Sequence, residues 1–285
     1  MDPLILKAPA KINWSLYVTG KRADGYHDIR SLMQTVSLYD SLEIRPSTSL
    51  DVVSEMVIPV EENLVYRAAR LLSEHTGSRK GAQIILRKEI PSGAGLGGGS
   101  SDAATTLAGL NRLWETGLTR DELAQLGGRI GSDVPFFFYS PMAAAEGRGE
   151  IITPLEISRS YTLLIVKPEV SVPTAWAYTA LDVKERNLTK TGDPRDNIRL
   201  IYHALKVGDV PLLPSLLHND FEGVVAQRFP VTGEIREQLL ASGALVARMS
   251  GSGSAIFGLF EDRAAASRAS MDLSRHWNRI VETGR

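Results

Sequence analysis

Between Pro91 and Ser101 the chain reads PSGAGLGGGSS, with Gly93, Gly95, Gly97, Gly98 and Gly99 interleaved with Ser92, Ser100 and Ser101. Each glycine held in an ordered loop costs conformational entropy on folding, so a cluster this dense needs a physical reason. Glycines let successive backbone N–H groups converge on an anion. A helix starting at the end of the loop adds its own N-terminal donors and the positive end of its dipole. The chemistry implied is the binding of a triphosphate. A plain strand-to-helix link would need fewer residues, since such links usually run about 2 to 6. Gly93, Gly95 and Gly98 also fit G-x-G-x-x-G, and Glu115 lies at about the distance of a ribose contact. Glu115 follows a helix, however, where a dinucleotide fold needs the end of a strand. The Walker A motif demands Lys and then Ser or Thr after its last glycine, and here Ser100, Ser101 and Asp102 follow instead. The H-R-D and D-F-G segments of protein kinases are absent as well, so the loop belongs to some other phosphate-binding class.

The elements that must position this loop follow from periodicity. Near the N-terminus Ile12, Trp14, Leu16 and Val18 alternate with Lys11, Asn13, Ser15, Tyr17 and Thr19, which predicts a strand with Lys11 and Asn13 on one face. Strands are expected at 31–44 and 52–58. A helix is expected over 63–75, with Asn63 as cap and Gly77 just beyond its end. The apolar run 82–86 reads as a strand feeding the loop, and 103–113 as the helix leaving it. Thr119 and Glu122 form a capping box for a helix over 120–130, after which GSDVPFFFY (131–139) turns into a buried strand. Beyond Pro154, the expected seam between domains 1–154 and 155–285, come a strand at 161–166 and a short segment after Pro173. Helices near 197–205, 220–228 and 233–240, strands at 245–249 and 255–260, and a helix over 264–277 complete the reading. The order predicts an α+β fold.

Composition narrows the partners. The 285 residues carry 32 basic against 33 acidic side chains and 43% apolar content, a balance without the charge excess that nucleic acid or a membrane surface attracts. There is no cysteine, which removes disulfides, thiolate metal sites and a cysteine nucleophile, and the five histidines show no metal-ligand spacing. No signal peptide and no run of about 20 apolar residues is apparent, so a cytoplasmic enzyme acting on a small molecule is expected.

Three motifs resemble those of the GHMP kinase superfamily. Pro91, Gly95, Leu96, Gly97, Gly98, Gly99, Ser100 and Ser101 match its phosphate-loop motif, APAKINWSL (8–16) its first motif, and MSGSGSAIFGLF (249–260) its third. Within the superfamily PAKIN, RADGYH (22–27), GSDVPFF and NDFE (219–222) are most similar to members that use ATP and magnesium to phosphorylate a cytidine-diphosphate-linked polyol in the non-mevalonate route to isoprenoids. Homoserine or mevalonate kinases, or a GHMP-like sensor that binds nucleotide without turnover, are the alternatives. The resemblance implies a two-domain α+β fold with the active site in the cleft between domains.

It also implies roles. Asp133 resembles the catalytic aspartate, and Lys11 would lie beside it, with Asn13 contacting the same substrate oxygens. On residue type alone, Asp133 reads as a turn aspartate, Lys11 as a surface lysine and Tyr26–His27 as a decorated turn. Tyr26, His27 and Tyr178, the last often Phe in the superfamily's relevant members, would stack on and hydrogen-bond the cytosine, with Thr174 a further acceptor contact. The loop backbone through Ser92, Gly93 and Ala94 to Ser101 would carry the ATP phosphates, Ser101 would touch the metal, and Asn63 and Lys88 would lie near the adenine. Asp102, where some relatives have Asn, is expected to cap its helix or to reach magnesium indirectly. A monomer or weak homodimer is expected.

Overall fold

The alternation at the N-terminus produces two long strands, β1 (Leu4–Lys21) and β2 (His27–Ser47), joined by the RADG turn. In the computed structural model, which describes residues 2–55, 58–181 and 193–284, β1 pairs with β2. There follow β3 (Leu50–Ser54), α1 (Leu64–Thr76), β4 (Gly81–Arg87), α2 (Gly98–Trp114), α3 (Arg120–Gly128), α4 (Phe136–Tyr139), β5 (Met142–Glu146) and β6 (Ile151–Pro154). The chain continues through β7 (Thr162–Lys167), α5 (Thr174–Ala180), α6 (Pro194–Val207), α7 (Leu213–Leu216), α8 (Phe221–Arg228) and α9 (Val231–Ala241). It ends with β8 (Val246–Met249), β9 (Ile256–Phe260), α10 (Arg263–Asp272) and β10 (Trp277–Glu282). No helix among the described residues is long and apolar enough to cross a membrane.

The chain forms two compact units that are interleaved in sequence. The first comprises Met1–Ala10, Leu38–Ser92 and Gly97–Ser140, and the second Lys11–Ser37, Gly93–Leu96 and Pro141–Arg285. The seam expected at Pro154 therefore falls inside the second unit, where β6 pairs antiparallel with β5. The structure divides β1 and β2 between units, which no single cut in sequence reproduces.

In the first unit β4 lies between β2, antiparallel, and β3, parallel. Helices α1, α2 and α3 cover this ladder with Val65, Ala68, Leu72, Ala103, Leu107, Leu110 and Leu126, packed on Leu42, Ile44, Ile84 and Leu86. Asn63 caps α1 through Oδ1, which accepts from Val65 N at 2.9 Å, and Gly77 ends the helix with φ of 67°. The capping box at Thr119 and Glu122 is formed as the spacing predicts. In the second unit β10, β7, β9 and β8 form an antiparallel sheet in that order, with Ile235 and Leu239 of α9 and Ala266 and Ala269 of α10 packed on it. A separate cluster joins Leu16 and Val18 to Ile29, Ala177, Phe221, Val225 and Met249.

Two local expectations are corrected and a third is made specific. The FFFY run forms the single helical turn α4, closed by Phe137 N to Val134 O at 3.2 Å and Phe138 N to Pro135 O at 3.1 Å, so Phe136 is buried without strand pairing. A short apolar run does not distinguish a strand from a buried helical turn. The segment after Pro173 is helical, α5. The final helix stops at Asp272 because Asn278 Nδ2 donates to the carbonyls of Ser270 at 3.3 Å and Leu273 at 3.2 Å, after which the chain enters β10 along β7.

Candidate active site

The glycine-rich loop leaves β4 by way of Lys88 to Ile90 and bends where Gly93, Gly95 and Gly97 take φ of 62°, 75° and 70°, values that L side chains adopt at a cost. Ala94 and Leu96 alternate inward and are buried. Helix α2 begins inside the motif, at Gly98 rather than at Ala103, with Gly97 as an N-cap that offers no side-chain acceptor. The first helical bond of the turn is Ser101 N to Gly97 O at 2.9 Å, so the N–H groups of Gly98, Gly99 and Ser100 lack intrahelical acceptors. A triphosphate fits that arrangement of donors and dipole.

In the first unit Ser100 of the loop lies beside the turn that carries Asp133. A Cβ on Gly131 would lie 3.8 Å from Ser100 Oγ, which puts the turn carrying Asp133 beside the first turn of α2. Asp133 is partly buried there, directly before α4. Ser101 Oγ is fully buried and meets no protein partner, a polar atom whose burial calls for a ligand. Among the described residues no three acidic or histidine side chains gather as a metal cage. A magnesium ion fits only in the way such ions usually bind at nucleotide sites, through one protein oxygen, phosphate oxygens and water.

Lys88 and Asp102 join one ion-pair network, and Asp102 departs from expectation. The Lys88 ammonium pairs with Asp40 Oδ2 and, at 2.6 Å, with Asp102 Oδ2. Asp40 Oδ1 in turn accepts from Glu89 N at 2.6 Å and Ile90 N at 2.8 Å. Asp102 therefore does not cap α2, whose N-cap is Gly97, and its Oδ1 is buried without a partner. Burial pushes the Asp102 carboxyl up to about 7; Lys88 opposes the rise and the nearby Asp40 adds to it. Asp40, missed in the sequence, is marked there only as a charge inside the apolar strand segment SLYDSLEI. Asn63, expected near adenine, uses its carbonyl oxygen as the α1 cap.

In the second unit Lys11 and Asn13 share a strand face, as the alternation predicts, and both are buried rather than on the surface. Lys11 Nζ donates to Asn13 Oδ1 at 2.7 Å, and Asn13 Nδ2 donates to Ser31 Oγ at 2.7 Å. The amide of Asn13 thus orients the ammonium of Lys11. The middle of the loop is held by the same unit: Lys11 N donates to Leu96 O at 2.9 Å, Ser250 Oγ to Gly95 O at 2.9 Å and Ala255 N to Ala94 O at 3.0 Å. Ser250 belongs to the third glycine-rich motif, and its side chain was not among the residues singled out from the sequence.

The RADGYH turn is tight: Arg22 N donates to Tyr26 O at 2.8 Å, Gly25 takes φ of 85°, and Asp24 Oδ1 accepts from Tyr26 N at 3.1 Å. His27 and Tyr178 stack on each other with ring centroids 4.9 Å apart and planes 21° apart, and Tyr178 meets Phe221 edge-on at 4.8 Å. No third ring fits between His27 and Tyr178 at that separation, so the two form one stacked platform rather than opposite walls. Burial, with a smaller contribution from Lys21, holds the His27 imidazole below its ordinary range, leaving a neutral ring with one donor and one acceptor nitrogen. Tyr26 remains 55% exposed with the Arg148 guanidinium 4.9 Å from its ring centre. Thr174 Oγ1 lies 3.1 Å from Ser252 Oγ.

Known proteins share this layout. Residues 63–141 match the GHMP kinases N terminal domain, and residues 201–279 match the GHMP kinases C terminal domain. The chain is 47% identical over 280 residues, 98% of each sequence, to a 4-diphosphocytidyl-2-C-methyl-D-erythritol kinase of Thermodesulfovibrio yellowstonii. It is 43% identical over 279 residues, 96% of each, to the protein of the same name in a Geobacter species. A crystal structure of 4-(cytidine 5'-diphospho)-2C-methyl-D-erythritol kinase superposes with a TM-score of 0.83 at 35% identity, covering 99% of this chain and 100% of the other.

Proposed function

Because this chain belongs to the 4-diphosphocytidyl-2-C-methyl-D-erythritol kinase family of GHMP kinases, we propose that it transfers the γ-phosphoryl group of ATP to the 2-hydroxyl of 4-diphosphocytidyl-2-C-methyl-D-erythritol. The observation that carries the reading is the first turn of α2, where a glycine N-cap leaves backbone donors aimed out of the helix beside the turn bearing Asp133. The reaction belongs to the non-mevalonate route to isoprenoids, and the enzyme works in the cytoplasm as a monomer or weak homodimer.

Phosphoryl transfer needs positioning and charge neutralisation more than covalent help from the protein. The hydroxyl oxygen forms a bond to the γ-phosphorus as the bond to the bridging oxygen breaks and ADP leaves. Asp133 accepts the hydroxyl proton. Lys11, fixed by Asn13, supplies positive charge to the oxygens of the reacting group. The amides of Gly98, Gly99 and Ser100 hold phosphate oxygens, and Pro91 to Leu96 close the loop over them. Lys88 acts on ATP through the loop it braces, and Asn63 through the position of α1. Ser101 Oγ is the protein oxygen that would hold magnesium, which would supply neutralisation of phosphate charge when bound with ATP. Tyr26, His27 and Tyr178 receive the cytosine, the His27–Tyr178 platform through an outer face and the neutral His27 by hydrogen bonds to the base edge, while Thr174 contacts the acceptor beside Ser252.

An ADP-release assay tests this with the cytidine-diphosphate polyol, homoserine and mevalonate as acceptors. Turnover is expected with the first alone, and its absence would overturn the acceptor assignment. Asp133→Ala is expected to lower kcat by a factor on the order of 10³, the usual reach of a general base. A D133A enzyme within tenfold of the unmodified protein would remove the base from the mechanism and leave the family standing. Lys11→Ala is expected to lower kcat as well.

A further inference from the structure

The NDFE segment, 219–222, takes no part in the chemistry described above, yet its polar side chains converge on the third glycine-rich motif. Asn219 is buried, and its amide is fully used. Nδ2 donates to Met249 O at 2.7 Å and to Gly251 O at 2.8 Å, and Oδ1 accepts from Phe221 N at 2.9 Å. Glu222 Oε1 accepts from Met249 N at 2.7 Å. Asp220 Oδ2 accepts from Val18 N at 2.6 Å, while the backbone of the same segment joins β1 through Leu16 N to His218 O at 2.8 Å and Asp220 N to Leu16 O at 3.0 Å. The segment thus clips the turn 249–251 from one side and strand β1 from the other.

That turn packs on residues 93–96 of the loop, which belong to the same unit. Besides the Ser250 Oγ bond to Gly95 O, Asn13 N donates to Ser250 Oγ at 3.3 Å. The approach is close: a Cβ on Gly95 would lie 2.1 Å from Ser250 O, and one on Gly251 would lie 3.1 Å from Gly95 O. A turn packed this tightly against another backbone transmits a small displacement rather than absorbing it. Its carbonyls at 249 and 251 have their orientation set by one primary amide.

We propose that Asn219 is a positioning residue for the kinase reaction: its amide fixes the 249–251 turn, which in turn sets the path of Gly95 in the ATP loop and the seat of Asn13 beside Lys11. Glu222 assists through Met249 N. The proposal rests on the reading of the loop as the ATP site, and it differs from a purely architectural role in which Asn219 only starts α8 through Phe221 N.

Asn219→Asp separates the two roles, because it keeps the oxygen that receives Phe221 N and replaces the donor by a second oxygen facing two carbonyls. In ligand-free protein, hydrogen exchange of the amides of Met249, Ala255, Lys11 and Asn13 is expected to quicken at least tenfold in N219D, with helix α1 unchanged. In the ADP-release assay kcat/KM for ATP is expected to fall at least tenfold, with KM for ATP rising more than kcat falls. Ser250→Ala, which removes the link to Gly95 O, is expected to lower kcat/KM for ATP at least fivefold and to add nothing further in the N219D background. Both exchange and kcat/KM within twofold of the unmodified protein in N219D, or faster exchange without a change in kcat/KM, would overturn the proposal. S250A within twofold would overturn it independently should N219D fail to fold. An unmodified protein without ATP-dependent turnover would defeat the functional reading instead, and the exchange result would still decide whether Asn219 holds the turn.

Discussion

Two buried carboxylates share one ammonium beside the glycine-rich loop, and this imbalance governs how Asp102 behaves. Burial raises its carboxyl to about 7 from the ordinary 3.8 despite Lys88, so the folded protein holds that proton more tightly than the unfolded chain does. Stability from this group is therefore greatest below pH 4 and falls as pH rises from about 4 to about 7, levelling off above. Asn at 102 keeps an oxygen for Lys88 Nζ and cannot ionise, leaving Lys88 paired one-to-one with Asp40. Asp102→Asn should consequently melt close to the unmodified protein at pH 4.5 and above it at pH 8, by roughly 2 to 4 °C for each kcal/mol removed. Calorimetry at the two pH values measures the gap, and a gap independent of pH would contradict the assignment. Because the carboxylate is directed at Lys88, the same variant should keep its dependence on magnesium.

At the scale of elements, α2 has to reach the sheet of the first unit closely enough to set the loop, and Gly109 permits that approach. A Cβ there would lie 2.5 Å from Ile44 Cδ1 and 2.7 Å from Leu6 Cδ1, both movable side-chain ends. Gly109→Ala should be nearly neutral, since helix propensity favours Ala over Gly by about 1 kcal/mol and offsets the adjustment. Gly109→Val should cost about 1 to 3 kcal/mol of stability by overpacking, read from urea unfolding. What the sequence revealed at this scale was what local physics controls: the Asn63 cap and αL Gly77 bound α1, and Thr119 with Glu122 start α3. It misjudged elements decided by distant partners. β10 exists because β7 offers it a ladder, and α2 begins among glycines because the loop, not helix propensity, sets its start. The glycine-rich loop was legible for the same local reason, whereas Lys11, Asp133, Tyr26 and His27 were singled out by their resemblance to GHMP kinase motifs. Asp40, Ser250 and the His27–Tyr178 stack were not, since their partners lie 48, 155 and more than a hundred residues away.

For the molecule as a whole, the described residues hold no acidic or histidine cluster that would bind a divalent ion without nucleotide. Chelation by EDTA should therefore abolish turnover while leaving the melting temperature in nucleotide-free buffer unchanged, whereas a structural metal would make that temperature fall on chelation. The division of β1 and β2 between units has a further consequence during synthesis. Residues 38–140 supply the greater part of the first unit, but the segment 11–37 finds its partners much later: Gln34 Nε2 donates to Gly284 O, and Gly284 N to Thr35 O. At about 5 to 20 residues per second, a ribosome takes on the order of 10 to 50 seconds to travel from one partner to the other. Throughout that interval the buried strand carrying Lys11 and Asn13 lacks its later neighbours, so Lys11 is made early and seated late.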